Sequence, residues 1–161
     1  MTSSSGVATR LSSKWFGSDL SPNARERLGA IGEVRHVDPG AVLLREGTET
    51  ERFGILLTGL LSLRVAVAGR GRATLMTVEP GDVFGWTAVV PPYRATSTVA
   101  ALETSEVIVF DAVQLRTLLR DDEQLALAIY PRLLQSVSRR LTATRNQLLD
   151  LYARDREYEP W

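Results

Sequence analysis

The stretch FGWTAVVPPYRATSTV, residues 84–99, interrupts a chain that elsewhere alternates apolar and polar residues. It holds Gly85, Trp86, the adjacent prolines Pro91 and Pro92, and Arg94, and alternation resumes directly after it. Gly and Pro punctuate strands at turns, so this is a loop set between two strands, and its length and composition set it apart from a simple reversal.

Working outward, the same punctuation recurs. GEVRHVDPG (32–40) and AVLLREG (41–47) read as two short strands, separated by the Asp38-Pro39-Gly40 turn and closed by Glu46-Gly47. FGILLTG (53–59) and LLSLRVAV (60–67) follow, split by Gly59, and GRGR (69–72) turns the chain into ATLMTVEPGD (73–82). Beyond the loop come RATSTVAAL (94–102) and SEVIVFDA (105–112). Seven or eight short strands at this spacing predict an antiparallel β-roll or jelly-roll barrel, mostly β with flanking α.

Helical signals lie on both sides. Ser21 before Pro22 is an N-cap followed by proline at the first helical position. Asp111 caps a segment carrying Leu115, Leu118 and Leu119 on one face, and Asp121-Asp122 open another with Leu125, Leu127 and Ile129. Pro131 lies inside this pattern and is expected to kink or restart the helix, because it lacks a backbone donor. Leu127, Tyr130, Leu134, Val137, Leu141, Thr144, Leu148 and Leu151 then alternate by three and four residues. That is the seam of a coiled coil over about three heptads, although a helix packed on its own core can show the same stripe. A helix of this length outreaches the roll, so a parallel homodimer through Leu134, Val137, Leu141, Thr144, Leu148 and Leu151 is expected.

The 161 residues amount to one domain with a sizeable core, at 44% hydrophobic and 24% charged. Formal net charge is zero, so no overall field draws the chain to nucleic acid or an anionic membrane. The absence of cysteine excludes disulfides and thiolate chemistry. His36 is the sole histidine, which removes the multi-histidine metal site of other double-roll folds, and no metal is expected. No nucleophile elbow, P-loop or Rossmann glycine pattern is present, so no catalytic residues are expected and the chain is not read as an enzyme. MTSSSGVATRLSS lacks the apolar run of a signal peptide and no stretch is long enough to span a bilayer. A cytoplasmic protein is expected, with residues 1–17 a disordered leader, 18–130 the roll with flanking helices, 131–155 the dimerisation helix and 156–161 a tail.

DPGAVLLREG (38–47), ILLTGLLSLRV (55–65), PGDVFG (80–85) and YRATSTVAA (93–101), in this order and spacing, resemble the cyclic nucleotide-binding domain of the Crp/Fnr-like family. The resemblance runs from about Ser21 to Tyr152 and also takes in protein kinase A regulatory subunits and cyclic-nucleotide-gated channels. It implies that the quoted loop is a phosphate-binding cassette. A helical turn begun by a glycine presents free backbone N–H groups as an anion cradle, and an arginine returning on the next strand can fork onto the same phosphate. Gly85, Thr87 and Ala88 would supply backbone donors and Arg94 the charge, with Ala95 and Thr96 alongside. Trp86 stands where the family usually places a glutamate that accepts from the ribose hydroxyl. Loss of such a charged acceptor corresponds to roughly 2–3 kcal/mol, on the order of 30- to 150-fold in affinity. Trp86 either fills the emptied pocket or stacks on a ligand. Aligning SRRLTATRNQL (138–148) with the family's long helix puts Thr144 and Arg145 over the purine, whereas Thr144 could equally set coiled-coil register.

These implications define two functions. The first is a regulatory domain that binds cyclic AMP, cyclic GMP or a related phosphate ligand, requires no cofactor, and relays through its C-terminal helix to an effector on another chain. The second is a protein-interaction module whose pocket Trp86 plugs. Only ARDREYEPW follows Tyr152 closely, so direct DNA binding is not expected. Bland readings stand beside these: Arg94 as an ordinary strand arginine, and Arg139-Arg140 as part of an exposed helix face.

Overall fold

The computed structural model describes residues 4–155. The chain runs α1 (Ser4–Ser12), α2 (Trp15–Ser18), α3 (Pro22–Ile31), β1 (Gly32–Val37), β2 (Val42–Leu44), β3 (Arg52–Thr58), β4 (Leu61–Val67), β5 (Gly71–Val78) and β6 (Val83–Phe84). A 3₁₀ turn (Trp86–Ala88), β7 (Thr98–Ala101), β8 (Ser105–Asp111), α4 (Ala112–Asp121) and α5 (Glu123–Asp155) complete it. The strands pair antiparallel in two four-stranded sheets, ordered β1-β8-β3-β6 and β2-β7-β4-β5. The antiparallel roll followed by helices is as expected. The described strands form two open sheets, however, and their ladders do not close into a barrel.

One sheet is covered on both faces, which explains the unbroken apolar runs at β3 and β8. Leu56, Val107 and Val109 point into the roll against Leu61, Leu63 and Val99 of the second sheet. Phe53, Ile55, Ile108 and Phe110 point the other way, into a second core built with the helices. Leu28 of α3, Leu115 and Leu119 of α4, and Leu125, Ile129 and Leu133 of α5 fill that layer.

The helix caps follow the sequence. Ser21 accepts from the Ala24 N–H at 3.1 Å, Asp111 from Gln114 at 2.9 Å and Asp122 from Leu125 at 3.0 Å.

Two expectations are corrected. The leader expected to be disordered is helical where it is described: α1 buries Val7 and Leu11, and α2 buries Phe16, all in the helix-side core. Val7 and Leu11 stand four apart and so share one face of a helix whose other residues are small or polar. Residues 1–3 of that segment, and the tail at 156–161, lie outside the described residues. Of the kink or restart expected at Pro131, the restart does not occur; α5 is continuous from Glu123, with the proline inside it. Pro131 and Leu127, whose carbonyl loses its partner, are both on the solvent side, while Leu125, Ile129 and Leu133 keep the helix docked on either side of the proline.

Among the described residues no helix is long and apolar enough to cross a membrane.

Candidate functional site

The loop at 84–99 is anchored by Phe84, whose ring lies against Gly54, where any Cβ would collide with it. Gly85 then takes the left-handed conformation, φ 71° and ψ 32°, tight against the Arg52 carbonyl, a place no residue with a Cβ could occupy without strain. This starts the 3₁₀ turn Trp86–Ala88. Ala88 donates its N–H to the Gly85 carbonyl at 2.9 Å, so that group is engaged within the turn. The N–H groups of Trp86 and Thr87 lead the turn and have no acceptor inside it.

The turn is pinned from two sides. The buried hydroxyls of Thr87 and Thr50 are 2.7 Å apart, and the Thr50 N–H donates to the Tyr93 carbonyl at 2.7 Å. From α4, Arg116 donates to the Ala88 carbonyl at 2.8 Å and lies 4.4 Å over the Tyr93 ring. Neither Thr50 nor Arg116 is marked by the sequence pattern. The bare signal for Thr50 is a hydroxyl in a strand-edge turn, and for Arg116 a partly buried arginine flanking the leucine face of its helix.

A cavity of about 10 Å³ lies between this turn and α5, walled by Gly85, Trp86, Thr87, Ala95, Thr96 and Arg140. Five of the expected site residues therefore converge. Trp86 is half-buried on the wall, Ala95 is buried and Thr96 is exposed at the rim. Ala88 is fully buried behind the turn. Arg94 does not wall the cavity: its side chain is exposed and donates to the Gly47 carbonyl at 2.7 Å. Thr144 and Arg145 are exposed on α5 and also lie away from it.

The cation that does reach the cavity is Arg140, from α5. Its guanidinium donates to the Val83 carbonyl behind the turn. Burial lowers its pKa from the ordinary arginine value, nearby Asp82 opposes that, and Arg139 adds to it. Arg139 stacks on Trp15 at 4.5 Å and lies 3.5 Å from Asp82. The expectation of an exposed Arg139-Arg140 face thus holds for Arg139, which is exposed, and is corrected for Arg140, which is partly buried. The heptad pattern drew attention to one side of the helix and concealed the polar anchors on the other. Gln147 adds a third anchor, donating to the Leu75 carbonyl of β5 at 2.8 Å. Beside Arg140 a wider groove of about 400 Å³ opens between α5 and the β5–β6 segment, lined by Met76, Thr77, Ser136, Ala143 and Gln147 among others.

The outward face of α5 is apolar and open. Leu127, Leu134 and Leu141 are 68%, 68% and 70% exposed, and Leu148 and Leu151 are exposed below them. Val137 is half-buried and Thr144 is exposed in the same stripe. Among the described residues no cluster of acidic residues and histidine could hold a metal ion.

Comparison with known proteins agrees with this fold. The "CRP-like cAMP-activated global transcriptional regulator" of Mycobacterium tuberculosis is 28% identical over 117 residues, covering 72% of this chain and 50% of the regulator. This chain thus spans about half the length of that relative. The crystal structure of a cyclic nucleotide-binding domain from Methylobacillus flagellatus superposes with a TM-score of 0.77 at 18% identity, covering 91% of this chain and 83% of that one. The regulatory domain of Toxoplasma gondii protein kinase A, crystallised with cAMP, superposes with a TM-score of 0.62 at 18% identity, covering 71% of this chain and 43% of that one. The cyclic nucleotide-binding domain family matches residues 34–122. With the roll, the glycine-started turn and the helix across it in place, the chain belongs to the cyclic nucleotide-binding domain family.

Proposed function

We propose that the chain is a regulatory domain that binds a cyclic nucleotide or related phosphate ligand at the Gly85–Ala88 turn and relays binding through α5. The observation that supports this reading is the position of Arg140, a cation of the long helix that walls the same small cavity as the glycine-started turn, whose leading N–H groups have no acceptor inside the turn.

In the arrangement described, the cavity has room for about one water molecule, and a nucleotide enters only when α5 shifts. A ligand that binds only the shifted state moves the equilibrium toward it, and the change is carried along the helix. Arg140 walls the cavity, and Arg94 must leave the Gly47 carbonyl to take part in holding a phosphate. The exposed stripe of α5 supports pairing with a second copy, parallel and through Leu134, Val137, Leu141, Thr144, Leu148 and Leu151. Output then passes to an effector on another chain.

Isothermal titration with cyclic AMP and cyclic GMP tests this. Micromolar binding that weakens in Arg140→Ala and Arg94→Ala supports it. No heat from a folded protein overturns it in favour of the second reading, an interaction module whose pocket is closed by Trp86. The smallness of the cavity is the observation that favours that alternative.

A further inference from the structure

One guanidinium holds both limbs of the cassette loop. Arg116 donates to the carbonyl of Ala88, where the chain leaves the 3₁₀ turn, and stacks on the ring of Tyr93, where the loop returns toward β7. The two contacts are chemically distinct. The Ala88 carbonyl sits at the C-terminal, partially negative end of the turn, which favours a cation. The Tyr93 ring offers its electron-rich face to the planar guanidinium, a match that arginine makes better than lysine.

Tyr93 needs such support. Its φ is 58°, the left-handed region that bulky side chains avoid and that persists only where surroundings hold it. Its carbonyl accepts from Thr50 at 2.7 Å and its N–H donates to the Val90 carbonyl at 3.0 Å, and of the contacts named for Tyr93 the one from Arg116 comes from a helix. That helix ends at Asp121, and only Asp122 separates it from α5.

We infer that Arg116 is a positioning residue that sets the aim of the cassette's N–H groups and ties the loop to the α4–α5 pair. It deepens the ligand-binding reading above and rests on it only for the affinity arm of its test. Displacing the loop drags on α4, and moving α4 releases Ala88 and Tyr93 together. Its action is through the backbone of the turn, since Arg116 is not on the cavity wall.

The test uses the full chain with Arg116→Gln, Arg116→Lys and Tyr93→Ala, read by residue-resolved hydrogen exchange and by titration with cyclic AMP. In Arg116→Gln the amides of Val89 and Tyr93 are expected to exchange at least about tenfold faster, with the core amides of β3 and β8 unchanged. Arg116→Lys is expected to restore protection at Val89 and to leave Tyr93 fast, because the ammonium reaches the carbonyl without reproducing the stack. Tyr93→Ala combined with Arg116→Gln adds nothing to either alone at Tyr93's neighbours. Cyclic AMP affinity falls about tenfold in Arg116→Gln. Exchange that is unchanged, or that rises equally through β3 and β8, overturns the inference. A wild-type chain that takes up no cyclic AMP overturns the ligand reading instead, and the exchange pattern alone then decides the role of Arg116.

Discussion

Arg139 lies over the ring of Trp15, its guanidinium carbon 4.5 Å from the ring centroid. A residue near the middle of the last helix is thereby joined to one in the second. Asp82 holds the same guanidinium from the β5–β6 segment at 3.5 Å. The N-terminal helices, the roll and α5 meet at this one side chain, next to the arginine that walls the cavity.

Arg139→Ala is expected to loosen α5 without unfolding the roll. The ring contact is worth about 0.5–1 kcal/mol, and the half-exposed pair with Asp82 adds little after solvent screening. The melting temperature should fall by about 2–4 °C. Because the closed arrangement is weakened, cyclic AMP should bind more tightly than to the parent, which titration measures. Weaker binding with an intact fold would argue that α5 assembles the site rather than closes it.

The paired hydroxyls of Thr50 and Thr87 form a second checkpoint. Thr50→Val strands the Thr87 hydroxyl in a buried place, at about 1–3 kcal/mol in urea denaturation. The double variant Thr50→Val with Thr87→Val removes both polar groups and should lose less than the two single changes added together. Simple additivity would mean the two hydroxyls do not depend on each other.

On the outer face of α5, Leu134→Asp with Leu141→Asp should abolish self-association. Both side chains lie mostly in solvent in the single chain, so circular dichroism should keep its shape while sedimentation reports a monomer. A parent protein that sediments as a monomer at tens of micromolar (about the strength expected of a short seam) would refute the pairing.

The fourth expectation concerns the sugar. No acidic residue walls the cassette cavity, and Trp86 occupies its side. Cyclic AMP and its 2′-deoxy form should therefore bind within about threefold of each other. Trp86→Glu should open a preference for the ribose form of roughly 30- to 150-fold. Strong discrimination by the parent chain would show that the hydroxyl is read by another group, such as the Thr96 or Ser97 side chain.

Strand positions and punctuation were readable in the sequence because each turn needs a particular backbone, and Gly40, Gly59, Gly81 and Gly85 all take positive φ. Caps at Ser21, Asp111 and Asp122 were readable for a similar local reason. What could not be read depends on contacts remote in the chain. Val7 and Leu11 look like two stray apolar residues until Val7 meets Gly32 and Leu11 meets Gly17 within the helix-side core. Arg140 looks like surface until α5 crosses the cassette. Arg94 illustrates the reverse: its place in the loop was legible, but its direction was set by the Gly47 carbonyl on a turn 47 residues earlier.

Arg140 and Leu141 are consecutive on α5, one directed at the cassette and the next into solvent. On a helix they are about 100° apart and rigidly joined. Rolling α5 far enough to withdraw the arginine swings the leucine row through the same arc, so the helix acts as an axle with two cams. The residues that tune the pocket and those that tune the outer row therefore cannot drift independently. A substitution that changes how far α5 must roll alters the demands on both.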